Sequence, residues 1–395
     1  MTTILPTEKL SNLGYGALKV QADGNTPITP DTYFYLYKET LFTDLKLDLD
    51  NPIAGNRMKL AQAYMGKRAH DGVLTVLAEP NTAQYWFDMM LKKGSITGGG
   101  PYTHPFTLDD PQNYYTIDLL KGELVERFFG VQAESISPTW DKNKMQFDID
   151  VTAKGSFIAR SIASTSTSPN HIILDTLYDP APTTGLVNGD VIRVYKSDAS
   201  AILDLTITTV IDGVTLLVSA DPTSMTTGDI VFLRAATSDV DVNNLDPFLW
   251  TRTQFQFSDT AANALTAAQT NMEVGSKWKL MYAFAHKQGD ERSGSFDPVS
   301  LPRLQGEAQV TAKVFFDQPF DKMRYLNVQD RACVIRHFSG ADKELRITLD
   351  GLKQKTSKEP LETGKLIYSE IEYEARWIEA NEEGFAVTVI NGNSA

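Results

Sequence analysis

Apolar and polar residues alternate with a period of two along much of this chain, which restricts it to sheets with one dry and one wet face. Ile371, Tyr373, Ala375 and Trp377 alternate with Glu370, Glu372, Glu374 and Arg376. Met145, Phe147, Ile149 and Val151 alternate with Lys144, Gln146, Asp148 and Asp150. Leu45, Leu47 and Leu49 alternate with Asp44, Lys46, Asp48 and Asp50. Parallel sheets covered on both faces lack this pattern. A mainly β, α+β fold built on antiparallel sheets is expected.

Helical signals are few. Pro80-Asn81-Thr82, then the apolar stretch to Leu91, then Lys92-Lys93-Gly94 predict a capped helix that stops at glycine. A second helix is predicted over Pro319–Leu326, while Thr260–Asn271 fits a helix or a long loop. The first two helices each follow a strand and a proline-containing turn, at Val73–Pro80 and Val310–Pro319. This order suggests an internal repeat. Tyr115–Leu119 matches Leu345–Leu349, Met145–Val151 matches Ile367–Trp377, and the strands at 33–50 match those at 248–258. Two copies of one unit are expected, at about 14–157 and 243–383.

Residues 160–240 differ in composition, with no Glu, Trp or Cys and dense Ser and Thr. Ser161–Pro169 has the composition of a linker. Gly189–Val194 resembles Gly228–Leu233, and Ile211-Asp212-Gly213 between two alternating runs signals a hairpin. A small SH3-like barrel is expected there. The domain reading is therefore 1–159 for the first unit, 160–242 for the insert and 243–395 for the second unit. A chain of 395 residues is long enough for two or three domains.

The formal net charge of −13 is unsuited to gripping nucleic acid. The one cysteine, Cys333, excludes an internal disulfide, and its Ala332 and Val334-Ile335 neighbours mark it as a buried small hydrophobe. No basic stretch leads into an apolar run near Met1, and no stretch approaches 18 apolar residues, so neither a secretory leader nor a membrane span is expected.

Motifs for chemistry fail one after another. Gly94–Pro101 is glycine-rich but lacks the Lys-Ser/Thr of a phosphate loop. No histidine among His70, His104, His171, His286 and His337 lies within four residues of another, and His337, four residues from Cys333, has no third ligand beside it in sequence, so no zinc site is written locally. Ser276-Lys277-Trp278-Lys279 lacks the companion motifs of a Ser-x-x-Lys enzyme. Asp239-Val240-Asp241 begins like a calcium loop, but Asn244 and Trp250 occupy the positions that need Gly and Glu. The carboxylate pairs two residues apart on strands share one solvated face, unlike an acid–base pair in two environments. No enzyme activity, metal or cofactor is expected.

The order of elements resembles the tail tube (major tail) proteins of siphophages. The likeness rests on Tyr33–Asp50, Val73–Lys92, His104–Asp109 leading to Tyr115–Leu119, Glu134–Pro138 before Met145–Ala153, and Phe255–Ser258, Leu304–Val310, Leu345–Leu349 and Ile367–Trp377. It implies β-sandwich units whose strands join neighbouring subunits into a continuous barrel. A chain with two such units implies a trimeric, pseudo-hexameric ring stacked into a hollow virion tail, with DNA as a transiting, unbound polymer. It implies assembly in a host cytoplasm and contacts with tape measure, terminator and distal tail proteins. The 160–242 insert would decorate the exterior, and deleting 161–239 with a short linker would leave tube formation intact. Asp44, Asp48, Asp50, Asp148, Asp150, Glu370, Glu372 and Glu374 are the candidate lumen wall, since acidic walls do not hold phosphates. Arg57 and Lys59, with Asp290, Glu291 and Arg292, are the candidate contacts between rings.

Two other functions fit the same composition. One is a carbohydrate-binding or glycan-cleaving tail-tip or surface protein, with Trp250, Trp278 and Trp377 stacking sugars. The other is a different virion ring protein, such as a distal tail or terminator protein.

Overall fold

The computed structural model describes residues 15–50, 62–122, 124–167, 170–177, 179–196, 202–222, 224–234, 246–270, 272, 276–284, 301–315, 323, 325–340, 342–358, 368–375 and 384–393. Among them lie 24 strands, and every pairing is antiparallel, as the alternation requires. The first part of the chain holds β1 (Gly16–Gln21), β2 (Thr32–Phe34), β3 (Leu36–Glu39), β4 (Phe42–Asp50) and β5 (Gln62–Leu77). Helix α1 (Pro80–Asp88) follows, then β6 (Lys92–Lys93), β7 (Tyr102–Thr107), β8 (Tyr114–Lys121), β9 (Leu124–Asp141), β10 (Lys144–Thr152) and β11 (Gly155–Phe157). The middle part holds β12 (Ala159–Thr167), β13 (Asn170–Leu174), β14 (Val191–Tyr195), β15 (Ile202–Val210), β16 (Thr215–Val218) and β17 (Ile230–Arg234). The last part holds β18 (Thr253–Ser258), helix α2 (Ala261–Thr266), β19 (Lys277–Met281), β20 (Glu307–Phe315), β21 (Arg331–Phe338), β22 (Glu344–Lys358), β23 (Tyr368–Glu374) and β24 (Phe385–Asn391).

One long sheet runs in the order β4-β5-β10-β9-β19-β20-β23-β22, with β3 beside β4 on the same flank of β5. Strands from both ends of the chain thus share one sheet, joined where Ile136 of β9 faces Leu280 of β19. Two smaller sheets cover its dry face. One runs β2-β1-β8-β9-β11 and the other β18-β21-β22-β24-β7-β6. The long strands β9 and β22 each start in a small sheet and finish in the long one. Each turns the corner at a left-handed glycine, Gly130 with φ 63° and Gly351 with φ 60°. Only glycine adopts this backbone without strain. A Cβ on Gly130 would also stand 2.4 Å from the Gly24 carbonyl oxygen.

A single core lies between the layers and draws on both ends of the chain. Phe87 of α1 lies 5.9 Å from Phe147 and 6.4 Å from Trp278, centroid to centroid. Val310, Ile347 and Val387 belong to the same cluster.

The helices depart from expectation in detail. Helix α1 is present, but neither Asn81 nor Thr82 caps it. Glu79 holds the N-cap position without a side-chain hydrogen bond, and Pro80 opens the first turn, where its missing N–H is harmless. The helix ends at Asp88, because Lys92-Lys93 leave it to pair with Thr107 and Phe106 of β7. Thr260–Asn271 contributes the short α2, whose Thr260 hydroxyl accepts from the Asn263 N–H. Of Pro319–Leu326, Met323, Tyr325 and Leu326 are helical, and the rest lies outside the described residues.

The stretch Ser161–Pro169 is corrected from linker to strand: Ser161–Thr167 belongs to β12, paired with both β13 and β17. The middle strands close on themselves in the order β12-β13-β16-β15-β14-β17-β12, a six-stranded barrel around Ile162, Ile172, Ile192, Leu205 and Val231. A Ser/Thr-rich sequence tolerates this because alternate positions face water. The barrel is fused to the body, since Leu233 and Arg234 of β17 pair with Val125 and Leu124, and its core takes in Leu120, Val125 and Phe157.

The strand matches are corrected too. Tyr115–Leu119 lies between β1 and β9, whereas Leu345–Leu349 lies between β21 and β24. The strands at 33–50 flank β5 in the long sheet, whereas β18 sits on the edge of a small one.

Candidate assembly surface

In an antiparallel sheet, residues directly opposite each other share a face. The dry face of the long sheet carries Leu74, Val76, Phe147, Ile149, Ile136, Trp278, Leu280, Val310 and Ile371, all buried. The other face is polar. Phe42, Asp71, Thr152 and Gln132 stand in one row across β4, β5, β10 and β9. Lys279, Gln309, Glu374 and Lys353 stand in the matching row across β19, β20, β23 and β22. A second pair of rows holds Thr75, Asp148 and Ser137, and Lys313, Glu370 and Lys358.

Asp148 and Asp150 therefore share this face with Glu370, Glu372 and Glu374, as the alternation predicts. Asp148 accepts from Thr75 Oγ1 at 2.7 Å, and Asp150 accepts from the Ser135 hydroxyl. Asp44 lies opposite Ala69 on the same face and is half-buried. Asp48 and Asp50 lie in β4 opposite Tyr64 and Gln62, and their side chains fall outside the described ones. Arg57, Lys59, Asp290, Glu291 and Arg292 all fall outside the described residues.

The expected acidic wall is interleaved with lysines. Lys277 and Lys279 are exposed on β19, and Lys313 lies 3.4 Å from Glu370. Lys355 is ion-paired to Glu374. Such exposed pairs contribute little to stability. Their effect is on the field, because each paired lysine cancels a carboxylate locally. These lysines lie on β19, β20 and β22, apart in sequence from the carboxylate runs, and only the strand order brings them together.

The long sheet has two open ends. Among the described residues no strand pairs with the outer edge of β3 and β4, nor with that of Lys353–Lys358 in β22. Unpaired N–H and C=O groups along such edges are templates for another chain. Exposed apolar side chains gather beside both. Tyr35, Tyr37 and Phe42 mark the first end, and Met323, Tyr325, Leu326 and Val328 mark the second. These seven are over half of the 13 large exposed hydrophobics among the described residues, so two patches dominate the apolar surface these residues present.

Within the chain, the joint between β9 and β19 shows how such ends are sealed. Arg303, from the loop before β20, donates to Ala133 O at 2.7 Å, Tyr282 O at 2.5 Å and Met89 O at 3.2 Å. Its guanidinium stacks 4.1 Å from the Phe284 ring centre. Burial lowers its pKa to about 10, where it remains charged at neutral pH.

The tryptophans expected to stack sugars are packed among protein groups. Trp278 is fully buried and donates from Nε1 to His337 Nε2 at 2.9 Å, and Trp250 packs edge-on against Trp140 at 5.0 Å. Trp377 lies outside the described residues. Burial pushes the Cys333 thiol well above its ordinary range, as expected of a core cysteine. Among the described residues no cluster of three or more His, Cys, Asp or Glu is placed to hold a metal. A cleft of about 400 Å³ holds Glu307 and Glu374, the latter ion-paired to Lys355. No helix among the described residues is long and apolar enough to cross a membrane. Compared with known protein families and with curated proteins, the chain matches none.

Proposed function

We propose that the chain is a structural protein of a siphophage tail tube, carrying two tube units whose long sheets join into a barrel around a DNA passage. The observation that carries this is the eight-position sheet through both ends of the chain, with a polar face and two open edges.

Two corresponding units are supported residue by residue. Strand orders β4-β5-β10-β9 and β19-β20-β23-β22 are the same, as are β1-β8-β9-β11 and β18-β21-β22-β24. Gly130 and Gly351 turn the same corner. Just beyond it, each long strand has a bulge. Glu134 is skipped between Val151↔Ala133 and Asp150↔Ser135, and Lys355 between Tyr373↔Gln354 and Glu372↔Thr356. A bulge and a left-handed glycine set the curvature of a sheet, so equal placement gives the halves equal bends. Equal bends repeated around an axis close a barrel, and three chains would supply six units.

The inserted barrel, SH3-like in size and strand number, is fused through the small-sheet part of β9, on the side away from the polar face. In this reading the barrel decorates the tube exterior. Closing the ring removes the open edges, and stacking is the open-ended step.

Negative-stain microscopy of concentrated protein tests this. Hollow tubes or stackable rings are expected. A stable monomer that binds or cleaves polysaccharide would overturn it and favour the sugar-directed alternative.

A further inference from the structure

The joint between the two halves of one chain is also a template for the joint between chains. In that internal joint, the inner edge of β9 pairs with β19, with Ser135 opposite Met281 and Ile136 opposite Leu280. The bulge correspondence equates Ser135 with Thr356 and Ile136 with Ser357. The matching rows equate Phe42 with Lys279, and hence Thr43 with Leu280 and Asp44 with Met281. The strand edges equivalent to the internal joint are therefore β22 at one end of the chain and β4 at the other, and these are the two left open.

We propose that β22 of one copy pairs antiparallel with β4 of the next copy, with Thr356 opposite Asp44 and Ser357 opposite Thr43. This rests on the ring assembly proposed above and adds its register. Two further observations point to the same place. Ser357 Oγ is buried on this edge with no hydrogen-bond partner among the described residues. The helical turn holding Leu326 follows β20 as α1 follows β5, yet their surroundings differ. Helix α1 is sealed against the other half of the chain, where Asn391 of β24 donates to Pro80 O at 2.9 Å and to Gln84 Oε1 at 3.1 Å. Leu326 is 69% exposed. The turn lies at the open edge itself, since Lys353 Nζ donates to Val328 O at 2.8 Å. The next copy covers this turn as the second half of the chain covers α1. The contact is heterologous, so each copy offers one head and one tail.

Disulfide trapping tests the register. Directly opposed residues in a sheet have Cα separations that a disulfide can bridge. The native Cys333 is fully buried and does not compete. Asp44→Cys protein is mixed with Thr356→Cys protein and oxidised with copper–phenanthroline, which takes two electrons as two thiols become one disulfide. The expected product is a cross-linked dimer of the two variants, formed at least tenfold faster than with Lys358→Cys in place of Thr356→Cys. Leu326→Asp is expected to abolish assembly and keep the parent's unfolding temperature, whereas Leu177→Asp, on the inserted barrel, is expected to assemble normally. If the parent assembles but Lys358→Cys cross-links as fast, or Leu326→Asp assembles as the parent does, this seam is wrong and the ring stands. If the parent does not assemble, the ring itself fails.

Discussion

Arg127 of β9 donates from Nη1 to Asp190 Oδ2 of the inserted barrel at 2.6 Å, and both side chains are only 1% exposed. The same guanidinium donates from Nε to Asp118 at 2.7 Å and from Nη1 to Gly185 O at 3.2 Å. Burial works against the Arg127 charge, but the two aspartates outweigh it and hold its pKa above the ordinary value. Removing Asp190 leaves Arg127 its pair with Asp118 but takes the barrel's carboxylate from the buried guanidinium. Asp190→Ala is expected to lower the stability by about 1–3 kcal/mol in denaturant unfolding. A loss below about 0.5 kcal/mol would show that the barrel is not held there.

Deleting 161–239 is therefore not the neutral change the sequence suggests. It removes Asp190 from Arg127 and Asp179 from Arg68 and Arg160, and it uncovers Leu120, Val125 and Phe157. The bare deletion is expected to be largely insoluble. Adding Arg127→Met and Val125→Thr to it is expected to restore soluble protein that still assembles. Sedimentation and microscopy of both deletions check this, and a bare deletion as soluble as the parent would contradict it.

His337 and Glu79 give opposite pH dependences. Trp278 can only donate, so His337 Nε2 accepts, and the neutral ring's Nδ1–H donates to Thr253 Oγ1 at 2.9 Å. Burial lowers the His337 pKa from 6.5 to about 3. The unfolded chain therefore binds the extra proton as pH falls below about 6.5, and stability declines from there toward pH 3. Glu79 runs the other way. Burial, with Asp246 adding to it and Lys343 opposing it, raises its pKa from 4.5 to about 7. Its contribution is intact below about 4.5 and is lost as pH rises to 7. His337→Gln is expected to flatten the decline between pH 6 and 5 by about 1.4 kcal/mol per pH unit, and Glu79→Gln to raise stability at pH 8 by about 1–3 kcal/mol. Unfolding free energies at four pH values check both signs.

Arg303 closes the internal joint by geometry a lysine cannot copy, because a flat fork serves several carbonyl oxygens while stacking on a ring. Arg303→Lys is expected to destabilise the chain by about 2 kcal/mol or more. Unfolding of the two ends should then separate into two transitions, visible by calorimetry. A single transition with unchanged midpoint would show that the joint does not depend on the clamp.

Much of this was legible where the chemistry is local. The strands β4, β10 and β23 and the shared face of Asp148 and Asp150 follow from alternation alone, and α1 follows from Pro80 and the apolar run. What needed the structure is set by pairing between distant segments. Ser161–Thr167 has linker composition, yet neighbours on both sides make it a strand. Leu345–Leu349 looks like Tyr115–Leu119 because both are short alternating runs, and only their partners show that they hold different places in their sheets. The ion pairs of Arg127 join residues that no sequence spacing links, and the lysines on the polar face arrive on strands far from the carboxylates.

Three chains, each with two tube units, are proposed to close one barrel through their long sheets. Cryo-electron microscopy of the assembled protein tests it most directly. The expected result is a ring of three chains in which β22 of each continues into β4 of the next, with the face of Asp148 and Glu370 toward a hollow centre. Rings of six chains, a polar face turned outward, or protein that stays monomeric at high concentration would contradict it.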